Sequence, residues 1–135
     1  MTAYSRSSNL AAYQTVAVHG GVAASDPHRL ILMLLDGALE RIASAKGAIE
    51  NGVPEARTRL LHRVVSIMDE LRGSLNLEAG GELAANMADL YEYSSRLLLR
   101  ANLECRTDLL DEVSHLMREI RSAWILIPSQ LRQKS

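Results

Sequence analysis

Long segments of regularly spaced apolar residues dominate this sequence. Within each segment the apolar side chains recur at alternating intervals of four and three residues, which is typical of helices that pack in a bundle. Four segments show the pattern, and no proline interrupts any of them. Their apolar positions are Ile31, Leu35, Ala38, Ile42, Ala45 and Ile49; Leu60, Val64, Ile67 and Leu71; Leu83, Met87, Leu90, Ser94, Leu97 and Ala101; and Leu109, Val113, Leu116, Ile120, Ala123 and Ile127.

Turn and cap residues separate the first two segments. Asp26 can cap a helix, and Pro27 suits the first helical position because the amide that proline lacks would be unpaired there. We expect Asn51 and Gly52 to end this helix. Pro54 begins a second helix, which fades near residue 76.

The glycine pair Gly80 and Gly81 raises the alternative of a phosphate-binding loop. Such a loop needs a preceding strand or a Gly-Lys-Ser/Thr ending, and the sequence has neither. We therefore predict that the glycines close one helix and that Glu82 lies at the start of the next. Thr107 or Asp108 is expected to cap the last helix, which residue 128, a proline, ends.

Four helices with connections too short to cross over predict an all-α fold, an antiparallel up-and-down four-helix bundle at residues 25–128. Residues 1–24 are less regular, but Leu10, Tyr13 and Val16 share one helical face, so we expect a short N-terminal helical cap segment there. Residues 129–135 form a polar tail.

Size and charge narrow the possible functions. The 135 residues fit one domain, and 15 basic against 16 acidic residues give a net charge of -1. No nucleic-acid partner is expected from this balance. The longest apolar run, residues 30–35, is far short of the roughly 20 residues that span a bilayer, so no membrane insertion is expected. The lone Cys105 and the absence of a signal sequence indicate a cytoplasmic protein.

Two patterns raise the possibility of chemistry. Glu112 and His115 match one Glu-x-x-His element of a di-iron bundle, but the required second copy is missing. His62 resembles the acceptor histidine of a phosphorelay bundle, yet Val65 and Ser66 replace the lysine and glycine of that motif. We predict no catalytic, cofactor or metal site and a protein that is not an enzyme.

Two helices carry more apolar residues than one inward stripe requires. The additional positions are Leu61, Val65, Met68 and Leu75 in the second helix and Leu110, Met117 and Trp124 in the fourth. A wide buried face explains them, and so does a groove that accepts a helix of a partner. Periodicity does not decide between these two explanations.

The sequence resembles the FliS-type flagellin export chaperones over nearly its whole length. The resemblance lies in AYQ at residues 12–14, SDPHRLILMLLDGALERIASAKGAI at 25–49, and GGELAANMADLYEYSSRLLLRAN at 80–102, followed by LLDEV and AW. Leu35 departs from the tyrosine that is usual in the family. This change keeps an apolar group but removes a hydroxyl.

The resemblance implies a cytoplasmic chaperone that binds the disordered C-terminal segment of flagellin, prevents premature polymerisation and supports delivery to the flagellar type III export apparatus. It also implies that the N-terminal segment can cover the binding surface. An export-gate component, an anti-sigma factor and a second copy of the chain are further candidate partners between which the sequence does not choose. The predicted partner-binding residues are Leu10, Tyr13, Tyr91, Leu98, Met117 and Trp124.

Overall fold

Four α-helices make up the part of the chain, residues 26–126, that the computed structural model describes. They are α1 at Pro27–Glu50, α2 at Pro54–Gly73, α3 at Leu77–Glu104 and α4 at Thr107–Ile125. Each helix packs on its neighbours in the cyclic order α1, α2, α3, α4 and back to α1. This order and the short connections confirm the predicted all-α four-helix bundle.

The start of α1 follows the sequence prediction closely. The Asp26 side chain accepts a hydrogen bond from the Arg29 amide at 3.2 Å, and Pro27 occupies the first helical position. At the other end the Asn51 amide bonds to the Gly47 carbonyl oxygen, and Gly52 follows with a φ of 67°. Local capping chemistry alone therefore fixes the bounds of this helix.

Helix α3 is bent near its beginning. It starts at Leu77 rather than Glu82, because the Asn76 side chain caps it by accepting from the Ala79 amide at 3.0 Å. One turn later Gly81 adopts φ 56° and ψ -133°, which is outside the helical region. The glycine pair therefore does not close the preceding helix, which ends at Gly73; it separates a single helical turn from the main part of α3 by a kink within one element.

The predicted cap of α4 is wrong. Arg106 occupies the N-cap position, and no side chain makes a capping hydrogen bond there. Asp108 instead pairs with the guanidinium of Arg106 at 2.7 Å, and Glu104 pairs with the same group at 3.3 Å. Both acids have a lowered pKa because of their hydrogen bonds to arginine. Arg106 thus draws into an ion-pair network the carboxylate that was expected to cap the helix.

The core lies along the axis of the bundle. Its fully buried large side chains include Leu35, Ile42, Leu61, Val64, Ile67, Met68, Leu71, Leu98, Leu110, Val113 and Met117. In α1 and α2 the predicted stripes face inward. In α4, however, Leu110 and Met117 are fully buried while Leu116 is partly buried and Ala123 is exposed. Packing against α1 and α3 therefore selects a different rotation of this wide apolar face.

A paired contact closes the ring of helices between α1 and α4. His28 Nε2 donates to the Trp124 carbonyl oxygen at 2.7 Å, and Trp124 Nε1 donates to the His28 carbonyl oxygen at 2.9 Å. The two rings stack with centroids 5.0 Å apart. We call this contact the His28–Trp124 clasp. Farther along the same pair of helices, Asp36 bonds Arg121 at 2.5 Å and Lys46 bonds Asp111 at 2.9 Å.

Candidate partner-binding groove

Three of the six predicted partner-binding residues lie in the core. Tyr91 is nearly buried, and Leu98 and Met117 have no exposed surface. In this conformation they support the interior of the bundle, and a partner reaches them only if the helices part. Their role in binding therefore stays a prediction, and their burial does not favour it.

The other three predicted residues are placed differently. Trp124 is partly exposed, and its ring and indole NH are engaged by His28 in the clasp. Leu10 and Tyr13 lie outside the described residues. The structure therefore does not bring the six residues together into one surface.

A surface with the expected properties lies instead between α3 and α4. These helices make the least extensive contact of the four neighbouring pairs. The Tyr93 hydroxyl donates a hydrogen bond to Glu112 across the gap, which fixes the register of the two antiparallel helices. Leu83 lies ten residues before Tyr93 and Ala123 eleven residues after Glu112, so both are at the same end of the gap.

Helical spacing places apolar side chains of both helices along this gap, and two of them, Met87 and Leu116, also pack against the core. On α3, Met87 and Leu83 lie three and seven residues before Leu90. On α4, Leu116 lies four residues after Glu112, and Ala123 lies seven residues after Leu116. Their exposure rises from the middle of the bundle towards its end. Met87, Leu90 and Leu116 are partly buried, Ala123 is exposed, and Leu83 is 72% exposed. These five residues define the α3–α4 groove.

Physical chemistry favours binding rather than catalysis in this groove. Its floor is aliphatic, and the hydrogen bond across it raises the pKa of Tyr93 because the phenol donates to a carboxylate. A floor of this kind suits the apolar face of an amphipathic helix. No reactive group is needed for such an interaction.

The residues considered for chemistry do not converge. Glu112 is engaged by Tyr93, whereas His115 lies 3.4 Å from Glu119 on an exposed face. His62 is exposed on α2. Within residues 26–126 no three acidic, histidine or cysteine side chains are grouped so that they could hold a metal ion. No helix there is long and apolar enough to span a bilayer.

A second pair of exposed leucines lies near the opposite end of α3. Leu99 and Leu103 are four residues apart, and Leu103 is 83% exposed. Asn102 between them accepts hydrogen bonds from Arg57 and Thr58 of α2, whereas Leu103 points about 100° away from it, into solvent. The pair is therefore separate from the α3–α4 groove and offers a matched comparison for it.

The sequence pattern contained the groove residues but placed them inside the bundle. Leu83, Met87, Leu90, Leu116 and Ala123 all belong to the stripes predicted to face inward. Other members of those stripes do lie in the core, and residues beside the stripes, such as Leu98, Leu110 and Met117, take the remaining inward positions. The surplus of apolar residues on the last helix was the available signal, although the second helix has two stripes as well and exposes neither of them.

Comparison with known proteins agrees with the helical architecture. A family model described as "Flagellar protein FliS" matches residues 9–131. Among curated proteins, the flagellar secretion chaperone FliSB of Pseudomonas aeruginosa is 44% identical over 112 residues, which cover 83% of this chain and 89% of the relative.

Two further relatives cover similar shares. The flagellar secretion chaperone FliS of Salmonella typhimurium is 38% identical over 87% of this chain and 87% of its own length. That of Vibrio cholerae is 34% identical over 90% of both chains. Matches of this identity and coverage establish common descent and fold. The chain therefore belongs to the FliS family of flagellar secretion chaperones.

Proposed function

We propose that this protein is a cytoplasmic chaperone of flagellin that binds the disordered C-terminal segment of its client in the α3–α4 groove. The observation that carries the proposal is an exposed aliphatic groove on a bundle whose family consists of chaperones and not enzymes. Binding prevents premature polymerisation and holds flagellin ready for delivery to the flagellar type III export apparatus.

The chemistry of the groove fits a client that must later be released. A disordered segment loses conformational entropy when it becomes ordered in a groove, so its affinity is modest for the area that it buries. The groove supplies apolar contacts without a covalent step or a cofactor. Handover then requires only that another partner compete for the same segment.

The N-terminal segment is the proposed competitor in the absence of client. Leu10 and Tyr13 are the residues that we assign to this role, and they would occupy the apolar surface that flagellin takes over. Tyr13→Ala is then expected to change the affinity for flagellin while leaving the unfolding free energy of the bundle nearly unchanged. Equal changes in both quantities would contradict a contact role for this tyrosine.

Calorimetric titration with the cognate flagellin tests the proposal directly. We expect saturable heat at a defined stoichiometry, and no heat with flagellin that lacks its C-terminal segment. Absence of heat with the complete, correctly matched flagellin would refute the proposed function. Unchanged heat with the truncated form would place the contact elsewhere in the client.

A pair of leucine variants on one helix tests the location. Leu83→Ser removes an exposed apolar side chain of the groove, and Leu103→Ser removes a similarly exposed one near the opposite end of α3. We expect Leu83→Ser to raise the dissociation constant about tenfold, as for the few interface residues whose truncation costs more than about 1 kcal/mol and that carry most of the binding free energy. The control should change it less than about twofold on the same basis.

This comparison tests where the client binds, independently of whether the protein is a chaperone of flagellin. Equal weakening by both variants, or weakening by Leu103→Ser alone, would move the site away from the α3–α4 groove without touching the chaperone role. Circular dichroism of both variants verifies that the helices are intact.

A further inference from the structure

The edges of the α3–α4 groove carry charges of one sign. On α3, Glu82, Asn86, Asp89 and Tyr93 follow one another at intervals of four, three and four residues, so they share the face that reaches Glu112. Glu82, Asn86 and Asp89 are exposed. No lysine, arginine or histidine occurs in residues 73–95 of the sequence. This edge of the groove is therefore purely acidic.

The opposite edge on α4 has the same sign. Glu112 and Glu119 are exposed and seven residues apart, on the face that also carries Leu116 and Ala123. His115 lies between them and is 3.4 Å from Glu119. Four carboxylates thus border an aliphatic groove in a chain whose net charge is only -1.

The cations of α4 and the adjoining part of α3 are directed elsewhere or engaged. Arg121 bonds Asp36 on α1 at 2.5 Å, which places it on the other side of α4. Arg118 is six residues after Glu112 and therefore falls on a different face. Arg96 begins the basic part of α3 and pairs with Glu92 at 3.5 Å. Arg100, seven residues after Tyr93, lies on the same face of α3, where its charge and that of Arg96 act on the phenol, and it pairs with Glu104 at 3.4 Å. Within residues 26–126, Glu82, Asp89 and Glu119 therefore meet solvent without an arginine within one turn on their own face of the helix.

We propose that the α3–α4 groove selects an amphipathic helical segment whose apolar face is flanked by lysine or arginine. The inference rests on the proposed function, because it specifies the chemistry of the client segment that the groove binds. Aliphatic side chains in the floor order the segment as a helix. The four carboxylates then attract its basic flanks on both sides, which turns the apolar face of the segment towards the floor.

Because these charges are exposed to solvent, we expect the selectivity in the association rate more than in the affinity. Solvent-exposed ion pairs add little to affinity, but a complementary field raises the association rate and disfavours partners of the wrong sign. Because salt screens this field, the association rate should fall as the ionic strength rises. An apolar groove with neutral edges would show little such dependence.

Stopped-flow association with the cognate flagellin tests the inference. The test variant is Glu82→Gln/Glu119→Gln, which removes one carboxylate from each edge. Its matched control is Glu40→Gln/Asp69→Asn, which removes two exposed carboxylates from the outer faces of α1 and α2. We expect the test variant to associate about three- to tenfold more slowly than the wild type at about 50 mM NaCl. The difference should vanish at about 500 mM NaCl.

Each alternative outcome has a definite meaning. If wild-type protein fails to bind flagellin, the proposed function itself fails. If the wild type binds but both double variants associate equally fast at low salt, the acidic edges do not recognise the client and the inference is overturned. Thermal unfolding of both variants separates a loss of charge from a loss of fold.

Besides the N-terminal segment, the chain supplies a second possible competing occupant. Residues 127–135 follow α4 directly and include Arg132 and Lys134. If these cations were the true partners of the acidic edges, neutralising the edges or removing residues 127–135 would strengthen flagellin binding. Either result would overturn the inference. We expect removal of residues 127–135 to leave the association rate at low salt unchanged.

Discussion

Two buried polar groups show how single residues set the stability of this bundle. Ser94 is fully buried on α3, and its hydroxyl has no hydrogen-bond partner in the structure of residues 26–126. Tyr91, one turn earlier, exposes only 3% of its surface. Both residues lie on the inward face of α3, where the other buried side chains are apolar. Each therefore has a cost that mutation can measure.

Replacing the buried serine should stabilise the protein. Ser94→Ala removes a hydroxyl that has lost its water without gaining a partner, so we expect the free energy of unfolding to rise by about 1 kcal/mol. Urea denaturation measures this value. Ser122→Ala, at an exposed position, is the control and should change little. A loss of stability in Ser94→Ala would show that the hydroxyl is satisfied after all.

The buried tyrosine predicts a loss of stability in alkali. Burial raises the pKa of Tyr91 to about 12, because the phenolate is disfavoured away from water. A group with a raised folded pKa contributes stability below its unfolded pKa of about 10 and loses it as the pH rises towards 12. We expect this group to lower the free energy of unfolding by about 1 kcal/mol between pH about 9 and about 11.

Denaturation at the two pH values with Tyr91→Phe checks the assignment. Phenylalanine keeps the ring but does not titrate, so the variant should lose less stability than the wild type over the same interval. An identical loss in both proteins would assign the alkaline effect to other groups.

At the scale of elements, the bounds of the helices were more predictable than their rotation. Asp26, Pro27 and Gly52 specify local backbone geometry, so the sequence predicted the limits of α1. Leu116 and Met117 are adjacent apolar residues on α4. Only packing against α1 and α3 decides that Met117 is fully buried and Leu116 only partly. The sequence therefore predicted the bundle and the presence of excess apolar surface. It placed the groove residues inside, since periodicity carries no information about the neighbours of a helix.

The kink in α3 is the element-scale feature with the clearest test. Gly81 has a φ of 56° and a ψ of -133°, a combination that residues with a Cβ rarely adopt. We expect Gly81→Ala to destabilise the protein by about 1–3 kcal/mol. Gly47→Ala is the contrasting variant, because Gly47 has ordinary helical geometry in α1 and open space around a new methyl group.

Thermal unfolding followed by circular dichroism compares the two glycine variants. Gly47→Ala should stabilise the protein by up to about 1 kcal/mol through its higher helix propensity. Stabilisation by Gly81→Ala as well would mean that α3 straightens without cost.

The whole molecule depends on closure between its first and last described helices. His28 and Trp124 are 96 residues apart in sequence and bond each other reciprocally. We expect Trp124→Phe to lower the free energy of unfolding by about 1–2 kcal/mol, because stacking is kept while the His28 carbonyl oxygen loses its donor. Circular dichroism in urea is the measurement, since the variant removes the sole tryptophan. Leu126→Ala, at an exposed neighbouring position, should have little effect.

Because the clasp joins the first described helix to the last one, the four-helix bundle can close only late in the synthesis of the chain. Residues 27–73 can pair as a helical hairpin as soon as they leave the ribosome, because their contacts are local. Helix α4, and with it one side of the α3–α4 groove, is added only after translation has reached the last described helix. A nascent chain that stalls before residue 107 therefore presents an open three-helix edge with no groove. The chaperone itself is exposed to misassembly until the ribosome completes that helix.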